Sequence, residues 1–135
     1  MSQTLLALLG FISWALLLLV LMEVIRSKLV LAGQVAANGF NPENSNLSPF
    51  MQRLARAHAN CLEGLPIFGG LMLVAVMAGK SSFTDPLACT LLGARIVQSS
   101  IHLASTSPAA VTARFVAFAV QVGIAVYWAF KLYAG

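Results

Sequence analysis

Charge is what this sequence has least of. Only 9% of its 135 residues are Asp, Glu, Lys or Arg, against 59% that are hydrophobic. Soluble domains carry about 25% charged residues, so a chain this poor in charge cannot cover a water-facing surface. That shortage excludes a soluble globular protein. Acid is scarcest: four Asp and Glu stand against eight Lys and Arg, for a net charge of +4. No basic run is interleaved with aromatics, which argues against a nucleic-acid interface. Cysteine is nearly absent. The two present, Cys61 and Cys89, have neither CxxC partners nor metal-ligand spacing, so no disulfide framework and no metal site is expected. Internal repeats and low-complexity segments are missing. So is a basic leader ahead of the first apolar run, and no small-residue cleavage site follows it; that run is read as a retained helix rather than a signal peptide.

What the chain does have is four long apolar stretches. A membrane helix takes about 20 residues, so four of them fill the chain and leave room only for short connections. The expectation is an all-α membrane protein: one transmembrane domain over residues 1–135, a four-helix bundle with spans at about 4–31, 49–78, 87–104 and 108–133. The Gly-, Asn-, Ser- and Pro-rich segment after the first span is the longest loop, and KSSFTDP and STSP are read as tight turns. Pro108 suits the first turn of span four, while Tyr127, Trp128 and Tyr133 suit an interfacial belt. Arg26, Lys28, Arg53 and Arg56 flank the first loop, whereas Lys80 alone marks the next turn. By the positive-inside rule, loop 32–48 is expected on the cytoplasmic side. The brevity of the chain and its lack of organelle signals favour a bacterial inner membrane.

The spans nevertheless carry polar groups in a pattern. A charged side chain at the bilayer centre costs at least about 2.5–3.5 kcal/mol and usually faces protein or a wet cavity. Arg53, Arg56, Asn60 and Glu63 recur at the spacing that puts them on one stripe of a helix, with His58 off it. Arg95, Gln98 and His102 form a second stripe in span three. Arg114 stands about two turns into span four, with Phe118 one turn further on. Two readings follow. The stripes can be interhelical glue, with Arg–Glu pairs fixing the register. Alternatively, Arg56, Arg95 and Arg114 outnumber Glu63 and Glu23 because they surround an anionic guest, whose carboxylate or thiolate suits arginine's planar fork.

The segment RAHANCLEGLPIF, from Arg56 onwards, resembles the second-helix signature of the membrane-associated proteins in eicosanoid and glutathione metabolism, the MAPEG family, which includes microsomal glutathione transferases. That signature reads Arg-Ala-His/Gln-x-Asn-x-x-Glu. GARIVQSSIHL resembles the family's third-helix segment and PAAVTARFVAF the start of its fourth helix. The likeness extends over nearly the whole chain in length, span number and order.

The resemblance implies a homotrimer of four-helix bundles that binds glutathione between neighbouring protomers. Asn60 and Glu63 match glutathione-holding positions, with Glu63 a partner for the free amino group. Arg56 matches the motif arginine, a ligand or a structural group. Arg95 matches the third-helix arginine, structural or a carboxylate contact. Arg114 matches the fourth-helix arginine that stabilises the glutathione thiolate, and Arg26 corresponds to a first-helix arginine that touches glutathione. Gln98 and His102 occupy stripe positions where eicosanoid-forming members carry His and Tyr. His102 then either replaces the missing phenol as a donor or closes an interhelical hydrogen bond.

The implied activity is a glutathione-dependent transferase or peroxidase acting on lipophilic electrophiles drawn from the membrane lipids. The alternative is a non-catalytic MAPEG-like member that binds a lipid or a partner protein. The sequence favours that alternative where it lacks tyrosine: Phe118 and Gly64 stand at positions where members of the family carry it. Outside the family, a small transporter with an arginine-lined anion path is a third reading.

Overall fold

A computed structural model describes all 135 residues as four helices: α1 (Gln3–Leu31), α2 (Pro49–Met77), α3 (Ser81–Ala104) and α4 (Pro108–Ala134). All four are long and apolar enough to cross a membrane. At 1.5 Å per residue, α2 is about 43 Å long, against about 30 Å for the hydrocarbon core of a bilayer. Its ends therefore reach headgroup depth, where polar side chains are cheap.

The helix ends are written into the sequence. Ser2, Ser48 and Ser107 are the N-caps, and each hydroxyl oxygen accepts from a backbone N–H in the first turn. Pro49 and Pro108 then supply a first residue already fixed near helical φ. At the C-termini of α1 and α2, Gly33 and Gly79 adopt φ +73° and +69°. Each closes a Schellman motif, with Gln34 N–H donating to the Leu29 carbonyl and Lys80 N–H to that of Ala75.

The third span begins earlier than its sequence suggests. KSSFTDP is not a turn; α3 starts at Ser81, six residues before the expected Leu87, and passes through Pro86. Tertiary contacts outweigh the turn signals. The Thr4 backbone N–H donates to Asp85 Oδ1 at 2.8 Å, and the hydroxyls of Thr4 and Thr84 meet at 2.6 Å. An orphan donor of α1 thus docks the first turn of α3, and the Asp85 carboxylate faces the positive end of the α1 dipole. α2 likewise runs unbroken through Pro66.

α3 packs against all three other helices, α1 and α4 do not meet, and α2 approaches α4 only sparsely. The core is filled by Phe11, Leu18, Leu54, Met72, Leu91 and Trp128. Trp128 is therefore a core residue and not part of an interfacial belt, whereas Tyr127 and Tyr133 are exposed. α1 turns Leu6, Leu9, Ile12, Leu16 and Leu17 outward, an apolar face suited to lipid.

Candidate functional site

The gap between α2 and α4 is where the polar residues gather. A cleft of about 450 Å³ is lined by Arg56, Asn60 and Glu63 from α2, His102 from the last turn of α3, Thr106 from the connection, and Val111 and Arg114 from α4. It continues into a second lobe of about 320 Å³, where Asn60 and Arg114 are joined by Gln98, Phe115 and Phe118. Volumes of about 300–1,000 Å³ are usual for small-molecule sites. Arg56 lies about 10 Å and Glu63 about 21 Å along α2 from Pro49, given the helical rise. The cleft thus opens at the end of the bundle that carries loop 32–48 and reaches towards mid-membrane.

Arg–Glu glue does not explain these charges. The one ion pair in the fold joins Arg26 to Glu23 at 3.4 Å, on α1. Glu63, Arg56 and Arg114 share a cleft without forming such a pair. The Arg114 Nε–H is buried and has no hydrogen-bond partner. An unmet donor in a low-dielectric setting is costly, and the same holds for the buried Arg95 Nη2.

Three of the residues singled out in the sequence are engaged elsewhere. Arg95 is fully buried. Its guanidinium lies beside the paired rings of Phe11 and Phe68, 5.4 and 5.7 Å from their centroids, and its Nε–H donates to Gln121 Oε1 at 2.9 Å. Arg95 does not line the cleft. Arg26 holds the first loop: its Nε–H donates to Asn44 Oδ1 at 3.0 Å and its Nη2 to the Asn41 carbonyl at 3.2 Å, with Phe40 under the guanidinium. Arg26 does not line the α2–α4 cleft. Arg53, first on the α2 stripe, donates from Nε to the Leu103 carbonyl at 2.8 Å and so ties down the C-terminus of α3.

The remaining stripe residues, Arg56, Asn60, Glu63, Gln98, His102 and Arg114, all line the two lobes. The interhelical side-chain hydrogen bonds beside the cleft run from Arg53 and through Arg95, Gln121 and Gln98, and none uses His102. Gln121 stands out in the sequence only as an isolated amide of span four and was assigned no role there. It is fully buried on α4 and donates from Nε2 to Gln98 Oε1 at 2.9 Å. Its only sequence signal is an amide in an apolar run. Thr106, Val111 and Phe115 were silent as well, since a cleft wall made by a connection and the outer face of α4 follows no single-helix stripe.

Gly64 has a spatial reason. A Cβ there would stand 2.7 Å from Arg95 Nη2 and 3.1 Å from the Phe68 ring. Because Arg95 is fully buried against Phe11 and Phe68, a side chain at position 64 meets packed atoms.

Beyond Phe118 the gap becomes wholly apolar. Ile67, Phe68, Leu71, Val122, Ala125, Val126 and Ala129 line a further groove of about 410 Å³ that shares Phe118 with the second lobe.

No curated protein and no solved structure matches the chain. The model of the MAPEG family matches residues 4–134, almost its whole length, and includes both stripes and the helix that carries Arg114. Sequence, four-helix architecture and that match agree: the chain belongs to the MAPEG family.

Proposed function

We propose that the chain is a membrane-embedded glutathione-dependent transferase or peroxidase acting on lipophilic electrophiles, with glutathione held in the α2–α4 cleft. One observation carries this reading: two guanidinium groups and one carboxylate line a single cleft, none in an ion pair, with the buried Arg114 Nε–H unmet. Glutathione has the complementary set, two carboxylates and an ionisable thiol against one ammonium group. Arg56 and Arg114 suit its anions, Glu63 its ammonium group, and Asn60, Gln98 and His102 its amides and carboxylates. In the assembled protein, Arg26 is a further candidate contact from a neighbouring protomer, and Arg95 supports the site from behind.

Glutathione supplies the sulfur nucleophile. A free thiol of this kind has a pKa near 8.5, and the thiolate is the reactive form. An opposite charge within a few ångströms lowers such a pKa by about 1–3 units. A shift of about two units from Arg114 beside the sulfur turns a minor thiolate population at pH 7 into a major one, by charge and position alone. The apolar groove past Phe118 offers a lipophilic electrophile a route along α4 to the sulfur.

A homotrimer, with loop 32–48 on the cytoplasmic side, completes the reading. Chemical cross-linking tests the first, and labelling of single cysteines placed at Asn38 and Gly79 tests the second.

A second reading is a non-catalytic member that binds a lipid or partner. It is favoured by the lack of any phenol in the cleft, where Phe115 and Phe118 stand. Calorimetry of the detergent-purified protein with glutathione, followed by conjugation to a chloronitrobenzene, separates the two. Binding with turnover, both weakened in Arg114→Ala, supports the transferase. Binding without turnover supports the second reading, and a chain that does not bind glutathione is not a glutathione-dependent enzyme.

A further inference from the structure

We propose that Arg95 and Gln121 are positioning residues that lock the Gln98 amide in one orientation, so that its NH2 group donates into the cleft to the anion held beside Arg114. The inference rests on the glutathione reading and adds to it a second donor with a fixed direction.

A side-chain amide has an accepting end and a donating end of nearly the same shape. Which end faces a ligand is decided by its other partners. Here the decision begins with two groups that have no choice. The Arg95 Nε–H can only donate, and it donates to Gln121 Oε1 at 2.9 Å. The Ala117 carbonyl can only accept, and it accepts from Gln121 Nε2 at 3.1 Å. These two contacts independently fix Gln121 the same way round. Its second hydrogen then goes to Gln98 Oε1 at 2.9 Å. Gln98 is thereby held by its oxygen, and its NH2 has no partner in the protein. The residue is 5% exposed and lines the lobe that contains Asn60 and Arg114. A chain of three side chains thus converts a buried cation that does not touch the cleft into a donor that does.

The relay is rigid where it starts. Arg95 is fully buried, with its guanidinium over the Phe11 and Phe68 rings and its Nη2 close against Gly64. Arg95 and Gln121 are both fully buried, so any influence they have on a ligand must pass through Gln98 or act as a field. A plain structural role, tying α3 to α4, is the competing explanation.

Gln121→Glu distinguishes these. The carboxylate has the same shape, still accepts from Arg95, and gains an ion pair, so the helix–helix tie survives. It has no hydrogen to give. Gln98 must turn its NH2 towards Glu and present its oxygen to the cleft. Glutathione affinity is measured by calorimetry on the full chain in detergent for wild type, Gln121→Glu, Gln98→Leu and the double variant, with thermal unfolding alongside. The expected result is an unchanged or higher melting temperature for Gln121→Glu and binding weakened about tenfold, the worth of one hydrogen bond to a charged group. In the Gln98→Leu background the same substitution should add little, because its route is gone. The midpoint of bound-thiolate absorbance against pH should also rise in Gln121→Glu.

Unchanged affinity in Gln121→Glu overturns the proposal, as does equal weakening with and without Gln98, which would reveal a field effect. Should Gln121→Glu not fold, Gln121→Met keeps the site neutral and releases the amide; intact binding there overturns the relay equally. A wild-type chain that does not bind glutathione sinks the functional reading itself, whereas binding that ignores Gln121 sinks only the relay.

Discussion

At the end of the bundle that carries the termini, Thr4, Thr84 and Asp85 satisfy one another's hydrogen bonds across α1 and α3. At the opposite end, Arg56, Asn60, Glu63 and Arg114 line an open cleft without an ion pair among them. Both groups sit in an apolar chain where polar atoms are expensive. The first set is closed and serves the fold. The second is open, and the physical argument for a guest comes from that difference, not from the mere presence of charge in a membrane helix. Arg95 and Arg114, on neighbouring helices, differ in a related way: each has one buried nitrogen without a partner, but the Arg95 guanidinium lies over two core rings and its Nε–H is bonded to Gln121, whereas Arg114 lines the cleft.

The strongest way to break this comparison is Arg114→Ala. Removing one preorganised electrostatic partner of a reacting anion typically lowers kcat by about 10²- to 10³-fold. The conjugation rate should fall by that order, while the melting temperature holds or rises because an unmet buried donor is gone. A large loss of stability with little loss of rate would place Arg114 among the closed groups instead.

Gly64→Ala probes the opposite case. The added Cβ would press on Arg95 Nη2 and Phe68, and overpacking a tight core costs about 1–3 kcal/mol. Thermal unfolding should report that loss. An unperturbed melting temperature would mean that the Arg95 side chain can shift.

Much of this arrangement was legible from residue order alone. The spacing of Arg56, Asn60 and Glu63 gave one cleft wall, because a helix imposes its 3.6-residue period on any stripe. The Gly-, Asn-, Ser- and Pro-rich loop after the first span and Pro108 marked helix ends for equally local reasons. The start of α3 was not legible, since Pro86 and its polar neighbours look like a turn until Thr4 arrives from α1 to dock them. Nor was the split between Arg95 and the cleft arginines. Arg95 shares its stripe with Gln98 and His102, yet Phe11 from α1 and Phe68 from α2 close over it. Trp128 went inward for the same reason: α4 has a core face that its position near a helix end conceals. Each miss involves a partner distant in the chain.

Asp85→Ala tests the closed end alone. Losing a side-chain acceptor at a helix N-terminus costs about 0.5–2 kcal/mol, here at α1. Stability should drop by that amount with glutathione affinity untouched, as measured by unfolding and calorimetry on one preparation. A coupled loss of affinity would show that the two ends of the bundle are not independent.

The finest test lies within a single stripe. Arg53 and Arg56 are one turn apart on α2, with the same side chain and nearly the same depth. Arg53 donates to the Leu103 carbonyl at 2.8 Å and so completes the end of α3, whereas Arg56 lines the cleft. A partly exposed hydrogen bond of this kind contributes about 0.5–1.5 kcal/mol. Arg53→Ala should therefore lower the melting temperature slightly and leave glutathione binding alone. Arg56→Ala should do the reverse, because no ion pair is lost with it and an anion of the guest loses its partner. If both substitutions shift binding by the same factor, the stripe acts as a diffuse positive field, and the distinction between closed and open polar groups fails at its narrowest point.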